Sequence, residues 1–216
     1  LLEFEKIHRQ SEKDFIEVLN KIRIGDVSQE TLTFINKRHS YIPQESGNKS
    51  QVILTTTNQI AEQINQEKLT AIKSEEFKFT AKMSKNFAVN ENRLPAPKEL
   101  RLKIGAQVMF TKNDQKRRWV NGTIGTVTYL SKDDITVTVS KEERSYNYNV
   151  PKEQWETIKY NFDAIENKIK EEIVGEFIQY PLMPAWAVTI HKSQGKTLDH
   201  VVIDLGAGAF ASTTTT

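Results

Sequence analysis

Cysteine is missing from all 216 residues, and only 4 histidines occur, at positions 8, 39, 191 and 200. The first absence excludes disulfides and thiolate metal sites and fits a reducing compartment. The histidines lack the close spacing of metal ligands, so no metal site is expected. No apolar run approaches the roughly 20 residues of a membrane-spanning helix, and the acidic, Arg-containing N-terminus does not read as a signal peptide. A soluble, intracellular protein is expected, cytoplasmic in a bacterium or nuclear or mitochondrial in a eukaryote, with no membrane partner. Excess charge of one sign is also lacking: the net charge is +2, so whole-chain electrostatics say little about partners. A phosphate-binding Walker A loop is absent as well. Gly195-Lys196-Thr197 has its ending, but the glycine required five residues earlier is replaced by Ile190. With no Walker B acidic pair in an apolar strand either, the chain cannot be a complete ATPase.

At this length one large or two small domains can each bury a core. Charge is unevenly distributed. Between 101 and 120 lie Arg101, Lys103, Lys112, Lys116, Arg117 and Arg118 against Asp114 alone, whereas 161 to 176 carry five acids against Lys168 and Lys170. One basic and one acidic face are implied.

Ser11 and Asp14 are spaced as a capping box, after which Phe15, Val18, Leu19 and Ile22 recur at helical spacing until Gly25. Ser28 starts a second helix through Leu32 and Ile35. From Gln51 strands and helices alternate: Val52 to Thr55 reads as a strand, and Thr56-Thr57-Asn58 offers caps for a helix ending at Leu69. Leu100 to Phe110 reads as two strands around Gly105, and Asn121-Gly122 as a tight turn. Candidate strands follow at Ile124 to Leu130, Ile135 to Val139, Tyr146 to Val150 and Ile173 to Tyr180, which suggests a small barrel. Pro151 to Tyr160 is expected as a helical turn anchored by Trp155, and Asp163 to Glu176 as a mobile or hairpin-like arm. Trp155, Tyr146 and Tyr148 are expected chiefly in the core, with base stacking as the alternative. Leu198 to Leu205 reads as a buried strand.

The richest run is Thr189-Ile190-His191-Lys192-Ser193-Gln194-Gly195-Lys196-Thr197, which joins hydroxyls, an imidazole and a cation to a glycine turn. Such groups hold a sugar-phosphate backbone in register without reading bases. The segment Pro181 to Leu205 resembles the "PLxxAWAxTIHKSQGxTLDxVxIDL" order of superfamily 1B DNA helicases of the petite-integration-frequency (PIF) type and their RecD-like relatives. Leu102 to Met109 resembles that family's "LKVGAQVM" signature, and Trp119 to Val127 its "WVNGTIGTV" element. His8-Arg9-Gln10 with Leu19 to Gly25 is similar to its motif IV region, apart from His8, where the family usually has an aromatic.

The resemblance implies an α/β fold: a RecA-like, P-loop-NTPase-type second motor domain with an inserted SH3-like β-barrel. Residues 1–40 would be the helical end of the first motor domain or a linker. Residues 41–110 and 181–216 would form the second RecA-like domain, and 111–180 the barrel insertion. It further implies a part of an ATP-dependent 5′ to 3′ helicase or translocase acting in replication, repair, recombination or telomere maintenance. Partners would be single-stranded, forked or structured DNA, bound by a monomer, with ATP and Mg held mainly by a first motor domain. Arg9 would reach the γ-phosphate, its planar fork suiting a transferred phosphoryl group. Gln194, Gly195 and Lys196 would approach the nucleotide. Thr56, Asn58, Lys112, Lys116, Arg117, Asn121, Thr189, His191, Lys192 and Ser193 would contact DNA. On local grounds Asn58 is equally a helix cap, and the basic loop equally a solvated one. Trp186 is expected to pack and His200 to be structural. Ala211-Ser212 followed by Thr213 to Thr216 departs from the family's continuation and suggests a truncation. The other functional class is a stand-alone single-strand-binding module without ATP chemistry. A phosphate loop at Gly206-Ala207-Gly208 fits no glycine fingerprint and reads as a turn.

Overall fold

In the computed structural model, residues 12–26, 28–37, 51–84, 87, 94–141, 144–163, 167–196, 198 and 200–206 are described. The chain divides into two units, residues 1–48 and 49–216. In the first, α1 (Lys13–Arg23) turns the expected periodicity into an amphipathic helix that buries Val18. Its end is closed by Asp26 N–H donating to Lys21 O at 2.9 Å, with Gly25 at φ +75°. Ser11 lies outside the described residues, and Glu12 at the N-cap gives no side-chain cap. α2 (Gln29–Asn36) is capped by Ser28, whose hydroxyl accepts from Thr31 N–H at 3.2 Å.

The second unit begins with β1 (Val52–Thr55) and α3 (Asn58–Ala71). β2 (Glu76–Thr80) pairs antiparallel with β4 (Glu99–Lys103), and the short β3 (Lys82–Met83) lies between them in sequence. Next come β5 (Gln107–Phe110), β6 (Ile124–Leu130), β7 (Ile135–Lys141) and β8 (Arg144–Asn149), followed by two long strands, β9 (Glu153–Asp163) and β10 (Lys168–Gln179). The chain then forms β11 (Leu182–Pro184), β12 (Ala187–Thr189), the short α4 (Ile190–Ser193) and β13 (Val201–Asp204).

β1 is the centre of a parallel sheet of order β12-β1-β13. Its flanks come from a segment more than 130 residues downstream, so the chain leaves the parallel layer after α3 and returns to it only at β12. In between, an antiparallel sheet of order β11-β5-β6-β7-β8 carries the main core. β5 joins the two layers through its period of two. Val108 and Phe110 pack into the large core with Leu100, Leu102, Trp119 and Val137, whereas Met109 packs with Val52, Ala185 and Val188 beneath the parallel sheet. A strand buried on both faces must read as a continuous apolar run, as Val108-Met109-Phe110 does. Gly125 permits the close approach of β6 to β7: a Cβ there would meet Val137 Cγ1 at 2.5 Å.

Three expectations are corrected. The barrel does not close among the described residues, because β11 and β8 are the outer strands of the antiparallel sheet, and β10 pairs with β9 and β3 instead. The helical turn expected over Pro151 to Tyr160 is the start of β9. Its Trp155, Thr157 and Lys159 alternate with Glu156, Ile158 and Tyr160, and full-length pairing with β10 outweighs the helix-start signal of Pro151. β13 is not buried, since it is an outer strand with Val201 42% and Ile203 63% exposed. Within the segment Asp163 to Glu176, the described residues Lys168 to Glu176 pair antiparallel with β9, as expected of the hairpin-like of its two forms.

Candidate nucleic-acid interface

Parallel pairing aligns Thr55 of β1 with Thr189 of β12 and with Asp204 of β13. All three strands therefore end at one level, and the segments leaving β1 and β12 emerge side by side at the C-terminal rim of the sheet, where α/β folds place ligand contacts. Thr57 caps α3, its hydroxyl accepting from Ile60 N–H at 3.3 Å. That role had been open to Asn58, which is instead the first helical residue and lines a cleft of about 490 Å³. Thr189 is held in the same way, accepting from Lys192 N–H at 3.3 Å as the cap of α4. Its hydroxyl thus organises the turn that projects His191 and Lys192, both exposed. Ser193 donates to Ile190 O at 2.8 Å.

The cleft brings together Asn58, Glu62, Thr111, Lys98, Lys192 and Lys196. Lys196 N–H donates to Ser193 O at 3.1 Å, and its ammonium sits 3.3 Å from Met109 Sδ. Burial, aided by the nearby Lys192 charge, pulls this ammonium below the ordinary lysine value. An anion entering the cleft would relieve both effects. The hydroxyls of Thr55, Thr56 and Thr111 are buried and carry no hydrogen bond, leaving donors at or beside the rim uncommitted. Gln194 and Gly195 are exposed just beyond α4, with Gly195 at φ +77°.

The cations of the basic loop differ in their partners and exposure. Lys112 donates to Glu153 Oε2 at 2.8 Å and to Gln154 O, and lies 5.1 Å from the Trp155 ring. Arg118 forms a fork on Asp114, at 2.9 Å from Nε and 2.7 Å from Nη2, and stacks 4.3 Å from the Trp119 ring. Trp119 in turn stacks on Phe110 at 4.3 Å. The arginine beside it holds the Asp114 carboxyl down at about 2. Lys116 and Arg117 remain exposed, and Arg117 adopts φ +58°. Asn121 N–H donates to Asn113 Oδ1 at 2.7 Å in the turn that places Gly122 at φ +97° directly over Lys196. Arg9 lies outside the described residues. Of the aromatics, Trp119 is buried, Tyr148 and Trp186 are half-buried against the core, Trp155 is half-buried, and Tyr146 is 40% exposed. His200 is exposed, its carbonyl accepting from Val52 N–H.

One site residue escaped sequence analysis. Asn65 on α3 donates to Ala187 O at 2.8 Å and accepts from Ala187 N–H at 2.9 Å, pairing the outer edge of β12 with a side chain. Gln107 does similar work with one amide, donating to Gln51 O and Ala185 O. Neither has a local signal, because an isolated amide on a helix or strand announces no partner 122 or 78 residues away.

A family model described as the 2B domain of DNA helicase Pif1 matches residues 88–130. The chain is 35% identical over 200 residues to the ATP-dependent DNA helicase Pif1 of Bdellovibrio bacteriovorus, covering 91% of this chain and 42% of that protein. It is 28% identical to human ATP-dependent DNA helicase PIF1, covering 98% of this chain and 32% of the relative. Its fold is similar to Bacteroides sp Pif1 in complex with ADP-AlF4, with a TM-score of 0.74 at 32% identity over 92% of this chain and 44% of that one. Bacteroides Pif1 bound to ssDNA is similar at a TM-score of 0.61. The chain thus spans less than half the length of the curated relatives and solved structures named here. Over that span the chain is similar, in sequence and in fold, to Pif1 DNA helicases.

Proposed function

We propose that this chain is the part of an ATP-dependent 5′ to 3′ DNA helicase or translocase that grips single-stranded DNA and completes the ATP site. The observation that carries the proposal is the alignment of Thr55 with Thr189. It unites Thr56 and Asn58 with Thr189, His191, Lys192 and Ser193 on one rim, beside a cleft that also holds Thr111 and Lys196. Hydroxyl, amide and ammonium donors on such a rim suit successive phosphates of a strand, independent of base sequence.

The domain plan follows from this. β1, β12 and β13 belong to a second RecA-like domain, residues 41–110 and 181–216, interrupted by an antiparallel β insertion over 111–180. Residues 1–40 are the end of a first motor domain or a linker. Gln194 and Gly195, at the exposed end of α4, face a nucleotide whose phosphates and Mg are held chiefly by the other motor domain, with Arg9 supplying the γ-phosphate contact. Lys196, turned into the cleft, serves the strand rather than the nucleotide. Lys116 and Arg117 are the cations of the basic loop that reach DNA, whereas Lys112 braces the loop. The 5′ to 3′ direction and the monomeric state rest on the family resemblance.

Anisotropy of a fluorescent oligothymidylate tests the grip. Lys192→Ala should weaken binding and lower the slope of log K against log salt by about 0.7, the value for one lost single-strand phosphate contact. His191→Ala should also weaken binding. Lys112→Ala should leave the slope unchanged. Binding that Lys192→Ala does not alter would remove the rim from the DNA path.

A further inference from the structure

β9 and β10 run beyond the sheets as a two-stranded arm whose two faces differ sharply. Residues paired across an antiparallel ladder share a face, and the face alternates along each strand. The register pairs Phe162 with Ile169, Tyr160 with Glu171 and Ile158 with Ile173, so these six lie on one face. Its apolar members are exposed far beyond what an isolated surface side chain requires: Tyr160 63%, Phe162 66%, Ile169 69%, Ile173 53% and Ile158 39%. Across the bulge between Ile173 and Gly175, the same face continues with Glu156 opposite Glu176. Gln154 donates to both of these carboxylates, at 3.0 and 3.2 Å, and holds the two like charges side by side. Lys159 pairs with Glu172 and Lys170 with Asn161, placing these cations on the opposite face.

The apolar strip is therefore bordered mainly by carboxylates, Glu156, Glu171 and Glu176, with Lys82 of β3 farther along the same face, paired with Ile178. Like charges held directly opposite one another destabilise a ladder until a cation offsets them. We propose that this face is a docking site for a partner protein's short segment in which aliphatic side chains alternate with Lys or Arg. Chemistry selects that occupant over the alternatives. A nucleic-acid strand would meet three carboxylates against a single cation, Lys82, on this face. A second copy stacked face to face would bring Glu156, Glu171 and Glu176 against their own equivalents. A strip of three cross-strand pairs, about 14 Å long by strand geometry, also offers far less than the roughly 800 Å² per partner of a stable dimer. A short linear segment fits its size. This inference is independent of the DNA-gripping role, which uses none of the side chains on this face.

The test uses the 216-residue chain and a fluorescent peptide of about ten residues alternating leucine and arginine, with serine-for-leucine and glutamate-for-arginine versions as controls. Saturable binding of the leucine-arginine peptide is expected, at least tenfold weaker for either control. The variants Tyr160→Ser/Phe162→Ser and Glu171→Lys should each lose tenfold or more. Overturning results are equal affinity for the serine control, which would reduce the effect to bulk charge, or unchanged affinity in both variants. Two further results also overturn the proposal: a dimer in sedimentation that Phe162→Ser dissolves assigns the face to a second copy, and oligothymidylate binding lost in Tyr160→Ser/Phe162→Ser assigns it to nucleic acid. The peptide controls need no variant, so the comparison stands even if one of the substituted chains fails to fold.

Discussion

The charge that matters most to the basic loop is an acid. Asp114 accepts from the backbone and from two nitrogens of Arg118, and that guanidinium lies on Trp119, which is buried against Phe110. Three otherwise independent side chains thus fix the loop from which Lys116 and Arg117 project. Because the Asp114 pKa is lowered from 3.8 to about 2, its contribution is fully present above pH 4 and is lost as the pH falls toward 2. Melting temperature followed from pH 6 to pH 2 should show Asp114→Asn less stable at the upper end, the gap closing below pH 4. A constant gap would mean that the ion pair contributes nothing. Gly122 offers a second residue-scale test. At φ +97° a Cβ is strained, and it would lie 2.8 Å from Lys196 Cβ. Gly122→Ala should therefore destabilise the chain by about 1 kcal/mol or more, and by displacing Lys196 should weaken oligothymidylate binding beyond what the stability loss explains. Wild-type affinity in this variant would separate Lys196 from the strand.

Among elements, β12 depends on α3 more than on its own sequence. It is three residues long and forms an outer strand, so its free edge would expose or strand backbone groups. Asn65 satisfies both the N–H and the carbonyl of Ala187, which is fully buried. Removing that amide leaves two buried backbone groups unpaired, so Asn65→Ala should cost about 2 to 3 kcal/mol in urea unfolding, with an unchanged m-value. A loss under about 0.5 kcal/mol would show that the edge finds water instead. The same element shows what sequence can convey. β1, α1, α2 and the Asn121-Gly122 turn were legible because local periodicity and caps dictate them, and the Thr189 to Gly195 run because hydroxyl, imidazole and glycine chemistry is concentrated in seven residues. β9 was misread because Pro151 is a local signal for a helix start, whereas its pairing with β10 is a tertiary fact. The exposure of β13 and the open antiparallel sheet were equally invisible, since both depend on which strands become neighbours. For the site, the rim residues were named individually, but their convergence required the parallel register, and the pairing of Lys112 and Arg118 with acids required three dimensions.

For the molecule as a whole, the decisive contrast is between the proposed strand grip, whose donors lie within one unit, and the proposed nucleotide site, which needs groups from another domain. The rim of the parallel sheet assembles its donors from residues 55 to 58 and 189 to 196 within one unit, so DNA affinity should be a property of this chain by itself. Phosphoryl transfer needs more than the sequence holds. It requires a glycine-rich loop whose backbone N–H groups cradle the phosphates and an acid that positions Mg, and position 190, where the first glycine should be, is Ile. Arg9 can stabilise charge on a phosphoryl group only if another domain presents one. The chain is therefore expected to bind oligothymidylate yet release no phosphate from ATP above background, with or without DNA. When a domain carrying the missing loop and acid is joined to it, DNA-stimulated hydrolysis should appear, Arg9→Ala should abolish it while leaving strand binding intact, and unwinding should require a 5′ rather than a 3′ single-stranded tail. Phosphate release by the 216 residues alone would refute the division of labour at once. Hydrolysis in the joined protein that survives Arg9→Ala would leave the strand grip standing and withdraw Arg9 from the nucleotide.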